Sequence, residues 1–432
     1  MKQTHIILLF LILLLGTSPA FGRELPGSLD IQFGGHLKLK NSASWYDSAT
    51  SIRQNKDNPF YDGSANLRLN TEAFAGDHFS LKIYYQAELS GGQTRKEEND
   101  LNFNFDELGS YALSNPQADD QTSLFDLTRV IEEEDEYIVL HKLDRLSVTY
   151  QPSWGMLRLG RQAITWGNGM TFNPMDLFNP FSPTAIDKEY KTGDDMAYCQ
   201  FFTERFGEWQ LLYVPRRDPT DHDPKWKQSS LAAKMDYYYR SLEFDLMLAK
   251  HYQDQVAGLG LSGYLKNAAW RLDSTWTFLD KDSQKDGFLS LVANIDYSWI
   301  WWEKNFYGFV EFFHNGLGNS DYKQAITDKQ ILTRIARGEI FVLGKNYLSG
   351  QIRMEAHPLV NIYLTIINNL HDPSGIVQPR ITWEATQNTK FTLGSDLYYG
   401  DKGTEFGGIS APKSNNLLKP ANSVYLWVNF YF

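Results

Sequence analysis

Past its N-terminal segment, the 432-residue chain has no apolar run near the ~20 residues that a helix needs to cross a bilayer. Helical membrane spans are therefore excluded from the bulk of the chain. Cysteine is almost missing: Cys199 stands alone, so no internal disulfide can contribute to stability. Basic residues are the minority, 41 Lys and Arg against 52 Asp and Glu, which argues against a nucleic-acid partner. Convergent catalytic patterns are absent too. The histidines are scattered, no G-x-S-x-G elbow occurs, and no His and acid stand at a spacing that suggests a triad. The sequence thus predicts neither an enzyme nor a cofactor requirement. Asp280, Asp282 and Asp286 in LDKDSQKDG lack the full ligand ladder and terminal Glu of a calcium loop, so they read as a solvated hairpin loop without a metal. The acidic run Glu132 to Glu136 likewise reads as a solvated face, with cation bridging to lipopolysaccharide as its functional alternative.

Two features are abundant. The N-terminus carries Lys2, the apolar run Ile6 to Leu15, Gly16, Pro19 and then Ala20-Phe21-Gly22, the pattern of a cleavable secretory signal. Ten apolar residues are too few for an anchor, so cleavage after Gly22 is expected, leaving 23–432 as one domain. Aromatic residues are the second: 24 Tyr, 27 Phe and 12 Trp without long apolar runs, which suits the interfacial girdles of a membrane β-barrel. A soluble β-sandwich could show the same composition.

Period two decides between them. Leu29, Ile31, Phe33, Leu37 and Leu39 alternate with Asp30, Gln32, His36, Lys38 and Lys40, and Phe79 to Leu89 alternates in the same way. Continued along the chain, the pattern predicts strands near 29–40, 67–73, 79–89, 143–151, 155–166, 195–205, 208–216, 228–240, 241–253, 255–266, 268–279, 288–301, 305–315, 344–356, 359–370, 375–386, 389–400 and 422–432. That is an all-β, antiparallel up-and-down barrel of about 18 strands. Merging the hairpin around Gln253 would give 16. Short turns, among them Gly76-Asp77, Arg240-Ser241, Lys266-Asn267 and Gln387-Asn388, alternate with mostly longer links, as a membrane barrel requires and a sandwich does not.

The final strand, SVYLWVNFYF, places Val424, Leu426, Val428, Phe430 and Phe432 on one face and ends on Phe. It resembles the terminal signature of Gram-negative outer-membrane proteins, whose assembly machinery reads the last strand and its closing aromatic. RLGRQAITWGNGMTFNPMDLFNPFSP, from Arg158 to Pro183, is similar to the Leu-Gly-Arg-Gln strand and Trp-Gly turn of several porin-like families, including substrate-selective and polysaccharide-export barrels of 18 strands. The resemblance implies Sec-type export, residence in the outer membrane, contact with its lipid and lipopolysaccharide, and Phe430 and Phe432 as an assembly signal. A homotrimer is common among porins, and one chain does not decide it.

An 18-stranded interior is too wide for wall side chains to fill. Segment 167–194 follows the Arg-Gln strand, and its Pro174, Pro180 and Pro183 oppose regular structure. Phe172, Phe178 and Phe181 would be badly placed on an outer loop, which predicts that the segment folds inward as a constriction. The alternative is a surface loop contacting lipopolysaccharide or a neighbouring subunit. The inward fold would place Asp176, Asp187, Lys188, Glu189, Lys191, Asp194 and Asp195 at or above the narrowing. By parity, Lys38, Arg68, Lys82, Arg145 and Arg158 face the lumen on early strands, Glu243, Asp245, Asp273, Asp296 and Glu311 on strands nine to thirteen, and Arg353 and Arg380 near the closing seam. Opposed rows of this kind would set a transverse field across a wet pore. A network of structural ion pairs is the plainer reading of the same charges. Arg161 falls on the lipid-facing parity, and a bulge at Gly160 is expected to turn it inward beside Arg158 and Gln162. The function expected is passive or weakly selective diffusion of small hydrophilic solutes. A polysaccharide-export barrel and a non-conducting structural or enzymatic barrel are the alternatives.

Overall fold

The computed structural model describes residues 23–25, 29–53, 57–100, 120–280, 285–411 and 416–432. The expected signal sequence, residues 1–22, and Asp282 lie outside them. Eighteen antiparallel strands form a closed barrel: Leu29–Trp45, Phe60–Ala75, Phe79–Gly92, Tyr137–Tyr150, Gly155–Gln162, Asp194–Thr203, Gly207–Val214, Ser230–Tyr239, Leu242–His251, Asp254–Leu265, Ala268–Phe278, Gly287–Trp301, Lys304–Asn315, Asn346–His357, Val360–Asn369, Gly375–Thr386, Thr389–Tyr399 and Asn422–Tyr431. We number them β1 to β18. Each pairs with its chain neighbour, and β18 pairs with β1 from His36↔Tyr431 to Trp45↔Asn422, so no edge is left open.

The count is eighteen because β9 and β10 are separate strands. They pair from His251↔Asp254 down to Glu243↔Ser262 around the two-residue turn Tyr252-Gln253, in which Tyr252 adopts a positive φ of 53°. At the opposite rim all connections are short. The turn Trp302-Glu303 has φ of 48° and 56°, the left-handed pair that a tight two-residue hairpin needs to match strand twist.

Alternation fixes which face meets lipid. Along β9, Leu246 and Leu248 are 45% and 69% exposed while Asp245 and Met247 are 2% and 1% exposed. With the outer face apolar and every strand paired with both of its neighbours around the ring, the wall meets the two conditions for spanning a bilayer. Aromatic residues of the outward parity such as Tyr237, Tyr239, Tyr297 and Trp301 are exposed toward the short-turn rim, where a girdle sits.

Two departures from a plain barrel matter for the interior. First, β5 is only eight residues long, and above it a further strand, Thr128–Glu133, pairs with the upper part of β4. Second, the long-loop half is filled. Trp166, Met175 and Phe178 pack on inward wall residues of β6 to β10, including Met196, Leu212, Met247 and Val256. A second cluster joins the helix Lys329–Ala336 to Leu317, Leu343 and Ile409, which places the loop 316–345 over the rim.

Candidate functional site

Segment 163–193 leaves the wall at β5, circles the inside of the barrel and returns at β6. Its first mount is Trp166, whose Nε1 donates to Gln210 Oε1 at 2.7 Å. Gly167 then turns at φ 83°, and a Cβ there would lie 2.2 Å from Asn173 Oδ1. Asn168 donates from its side chain to Asp245 at 2.9 Å and to Asp273 at 3.2 Å. The backbone N–H groups of Met170, Thr171 and Phe172 all point at Glu311, at 2.6, 3.0 and 2.8 Å. Glu311 is fully buried, so this carboxylate is solvated by the loop's own backbone. Phe172 stacks on Phe313 with centroids 4.3 Å apart.

The return half is held by the other wall. Gln378 donates to the Thr184 carbonyl at 3.0 Å, and Lys38 and Lys40 each reach Asp187 at 2.9 Å. Glu189 meets Lys38 at 2.7 Å and accepts from the Tyr431 hydroxyl at 2.7 Å. Tyr190 stacks on His36 at 5.1 Å, with the Arg68 guanidinium 4.1 Å above its ring. Within the loop, Asp176 pairs with Lys191. Burial pushes the Asp176 carboxyl up to about 6 even with Lys191 beside it. Asp187 shows the reverse balance: burial raises it, but Lys40 and Lys38 outweigh burial and hold it below the usual carboxylate range.

No family model matches the chain, and no curated protein matches it in sequence. Solved structures match its fold. Acinetobacter baumannii OccAB4 is similar with a TM-score of 0.52 at 8% identity, and OccAB2 of the same organism with 0.51 at 9%; each comparison covers 93% of this chain and 98% of the other. A BenF-like porin from Pseudomonas fluorescens Pf-5 is similar with 0.50 at 10%, with the same coverage. The fold is that of the outer-membrane porins.

In this barrel the predicted lumen charges divide into three groups. Some are paired: Arg68 and Arg145 share Asp144, Lys82 meets Glu72, and Arg271 meets Asp296. Some are spent on the loop, namely Lys38, Asp187, Glu189, Asp245, Asp273 and Glu311. Others have no opposite charge within 4 Å among the described residues: Arg158, which donates to Thr149 at 3.0 Å; Lys188, exposed; and Arg353 and Arg380, which lie over the rings of Tyr307 and Tyr363 at 5.5 and 4.4 Å. Glu243 is held by the hydroxyls of Tyr238 and Ser262. Asp144 was not singled out from sequence. It is the extra residue of a bulge, lying between Leu143, opposite Tyr85, and Arg145, opposite Tyr84.

The bulge expected at Gly160 is not there. Both ladders of β5 keep an unbroken register through Gly160, pairing Leu159 with Val148 and Arg161 with Leu146. Gly160 takes a φ of 113°, yet Arg161 keeps the parity of Leu159, which is 63% exposed. Arg161 therefore does not join Arg158 and Gln162, and Asp195, its register partner, does not face the constriction. What removes Arg161 from lipid is segment 120–127. The guanidinium meets Asp195 at 2.9 Å and Asp120 at 2.7 Å and donates to the Phe125 carbonyl at 2.7 Å. Gln162 instead donates to backbone carbonyls, including that of Met196 at 3.2 Å. Arg161→Leu should lower unfolding stability by about 3–5 kcal/mol, because two buried carboxylates lose their counter-charge. Urea titration of the folded barrel checks this, and a loss below about 1 kcal/mol would mean that the cluster is hydrated.

Proposed function

We propose that the barrel is a diffusion channel for small hydrophilic solutes, narrowed by segment 163–193 and selective for anions at the narrowing. The observation that carries this reading is the unequal fate of the lumen charges. Asp245, Asp273 and Glu311 are turned toward loop donors, which lessens their pull on ions in the water. Arg353 and Arg380, by contrast, lie in one register row, Tyr307–Arg353–Tyr363–Arg380, and Lys188 adds a third cation from the loop. The tyrosine rings hold the guanidinium groups without neutralising them. A transverse field remains, with its positive pole the more accessible one.

The test is the reversal potential of single barrels in a planar bilayer under a KCl gradient. Wild type should favour chloride, and R353Q/R380Q/K188Q should move the reversal potential toward potassium. A cation-selective wild type, or a triple variant indistinguishable from it, would defeat the anion preference. A barrel that never conducts would defeat the channel itself.

A further inference from the structure

Beside the lumen loop, the wall presents a small polar patch without a structural duty. Thr275 on β11 lies opposite Ser290 on β12, and Thr277 lies opposite Phe288. The three hydroxyl residues are 3%, 7% and 8% exposed for Thr275, Ser290 and Thr277, respectively. None of these hydroxyls forms a hydrogen bond to protein among the described residues. Their oxygens are not among the fully buried atoms that lack a partner, so they open onto the space before them and can both donate to and accept from what enters it.

That space is a cavity of about 90 Å³ between the wall, the lumen loop and loop 316–345. Across it stand Phe172 and Phe313, stacked with an interplanar angle of 11°. The charged groups at its margin already have opposite charges nearby. Asp176 meets Lys191, Arg334 meets Asp254, and Glu339 lies 3.6 Å from Arg334. An ion entering would find no bare counter-charge. A neutral molecule with hydroxyls can both donate to and accept from the three side chains, and its C–H edges can pack on the phenylalanine rings. The cavity volume is several times the roughly 10–15 Å³ that one water needs, which leaves room for several waters or a short polyol.

We propose that Thr275, Thr277 and Ser290 form a binding subsite for a small neutral polyol, or for the hydroxymethyl end of a larger solute. The proposal deepens the channel reading and rests on it for the solute's route, but binding itself requires no conduction.

Saturation-transfer NMR on the full chain in an amine-oxide detergent, with erythritol as the probe and acetate as the ionic control, tests the subsite. Wild type should show saturable transfer to erythritol and none to acetate. T275V/T277V/S290A, nearly isosteric, should bind erythritol at least about tenfold more weakly, since each lost hydroxyl removes a hydrogen bond. If the triple variant does not fold, S290A alone should still weaken binding by about threefold. Absence of transfer in wild type would mean that the cavity holds only water, and equal binding by the variants would place the probe elsewhere; either result overturns the proposal. KCl conductance measured on the same preparations keeps the readings apart. Conduction without erythritol binding removes the subsite alone, and binding without conduction removes the channel alone.

Discussion

Deleting residues 170–186 is expected to raise single-channel conductance several-fold while leaving the barrel folded. The wall does not need those residues, because Gln162 and Asp194, which flank the loop, are register partners on adjacent strands and a shortened loop can join them. The lumen does need them. An 18-stranded wall leaves an aqueous channel when nothing enters it, and this loop takes up that room by running from Gln210 on β7 past Glu311 on β13 to Lys38 on β1. A milder change should show the mechanism. Glu311→Ala strands three backbone donors that now share one buried carboxylate, and hydrogen bonds to a charged group contribute about 1.5–3 kcal/mol each. The docked loop should then detach intermittently, giving current steps between a low and a high level. Conductance unchanged by the deletion would mean that ions pass by a route the loop does not narrow.

The strand faces were legible because a barrel wall has only two surroundings, and period-two hydrophobicity reports which one each residue meets. The inward loop was legible for a related reason: Phe172, Phe178 and Phe181 needed cover that an outer loop does not provide. Periodicity reports a face but not a partner, so an acid turned toward pore water and an acid receiving a loop N–H look alike in sequence. Glu311 and Asp273 could be placed in the lumen, yet their use as mounts depends on where residues 168–172 arrive. The sequence carries one more signal of the inward loop. Leu211-Leu212 and Leu246-Met247-Leu248-Ala249 are apolar on both parities, the mark of strands covered on both sides, and they are where the loop's hydrophobic residues pack. Arg161 was misread because its cover comes from a segment some forty residues earlier in the chain, and local alternation carries no record of that.

Removal of Phe432 should reduce the fraction of chains that reach the folded barrel, and those that do should conduct as wild type does. Phe432 extends the seam by one pair: its carbonyl accepts from the Gly35 N–H at 2.8 Å, and its own N–H donates to the Gly35 carbonyl at 3.1 Å. Its ring lies across Gly35, where a Cβ would come within 2.8 Å of the ring and 2.1 Å of the Arg68 carbonyl oxygen. Gly35 thus leaves the notch that the terminal ring fills. The seam is the last ladder that can close, since β1 and β18 are the ends of the chain's strand order, and each unpaired backbone group in hydrocarbon costs several kcal/mol. Losing the final pair should therefore weaken closure more than any turn substitution, without touching Glu311, Arg353 or Arg380. Gly35→Val should give the same defect by displacing the ring and pressing on Arg68. The fraction migrating as the compact form on unheated gels measures closure, and bilayer conductance of that fraction measures transport. If chains lacking Phe432 close at wild-type yield but conduct differently, the terminal ring belongs to the pathway and not to the seam.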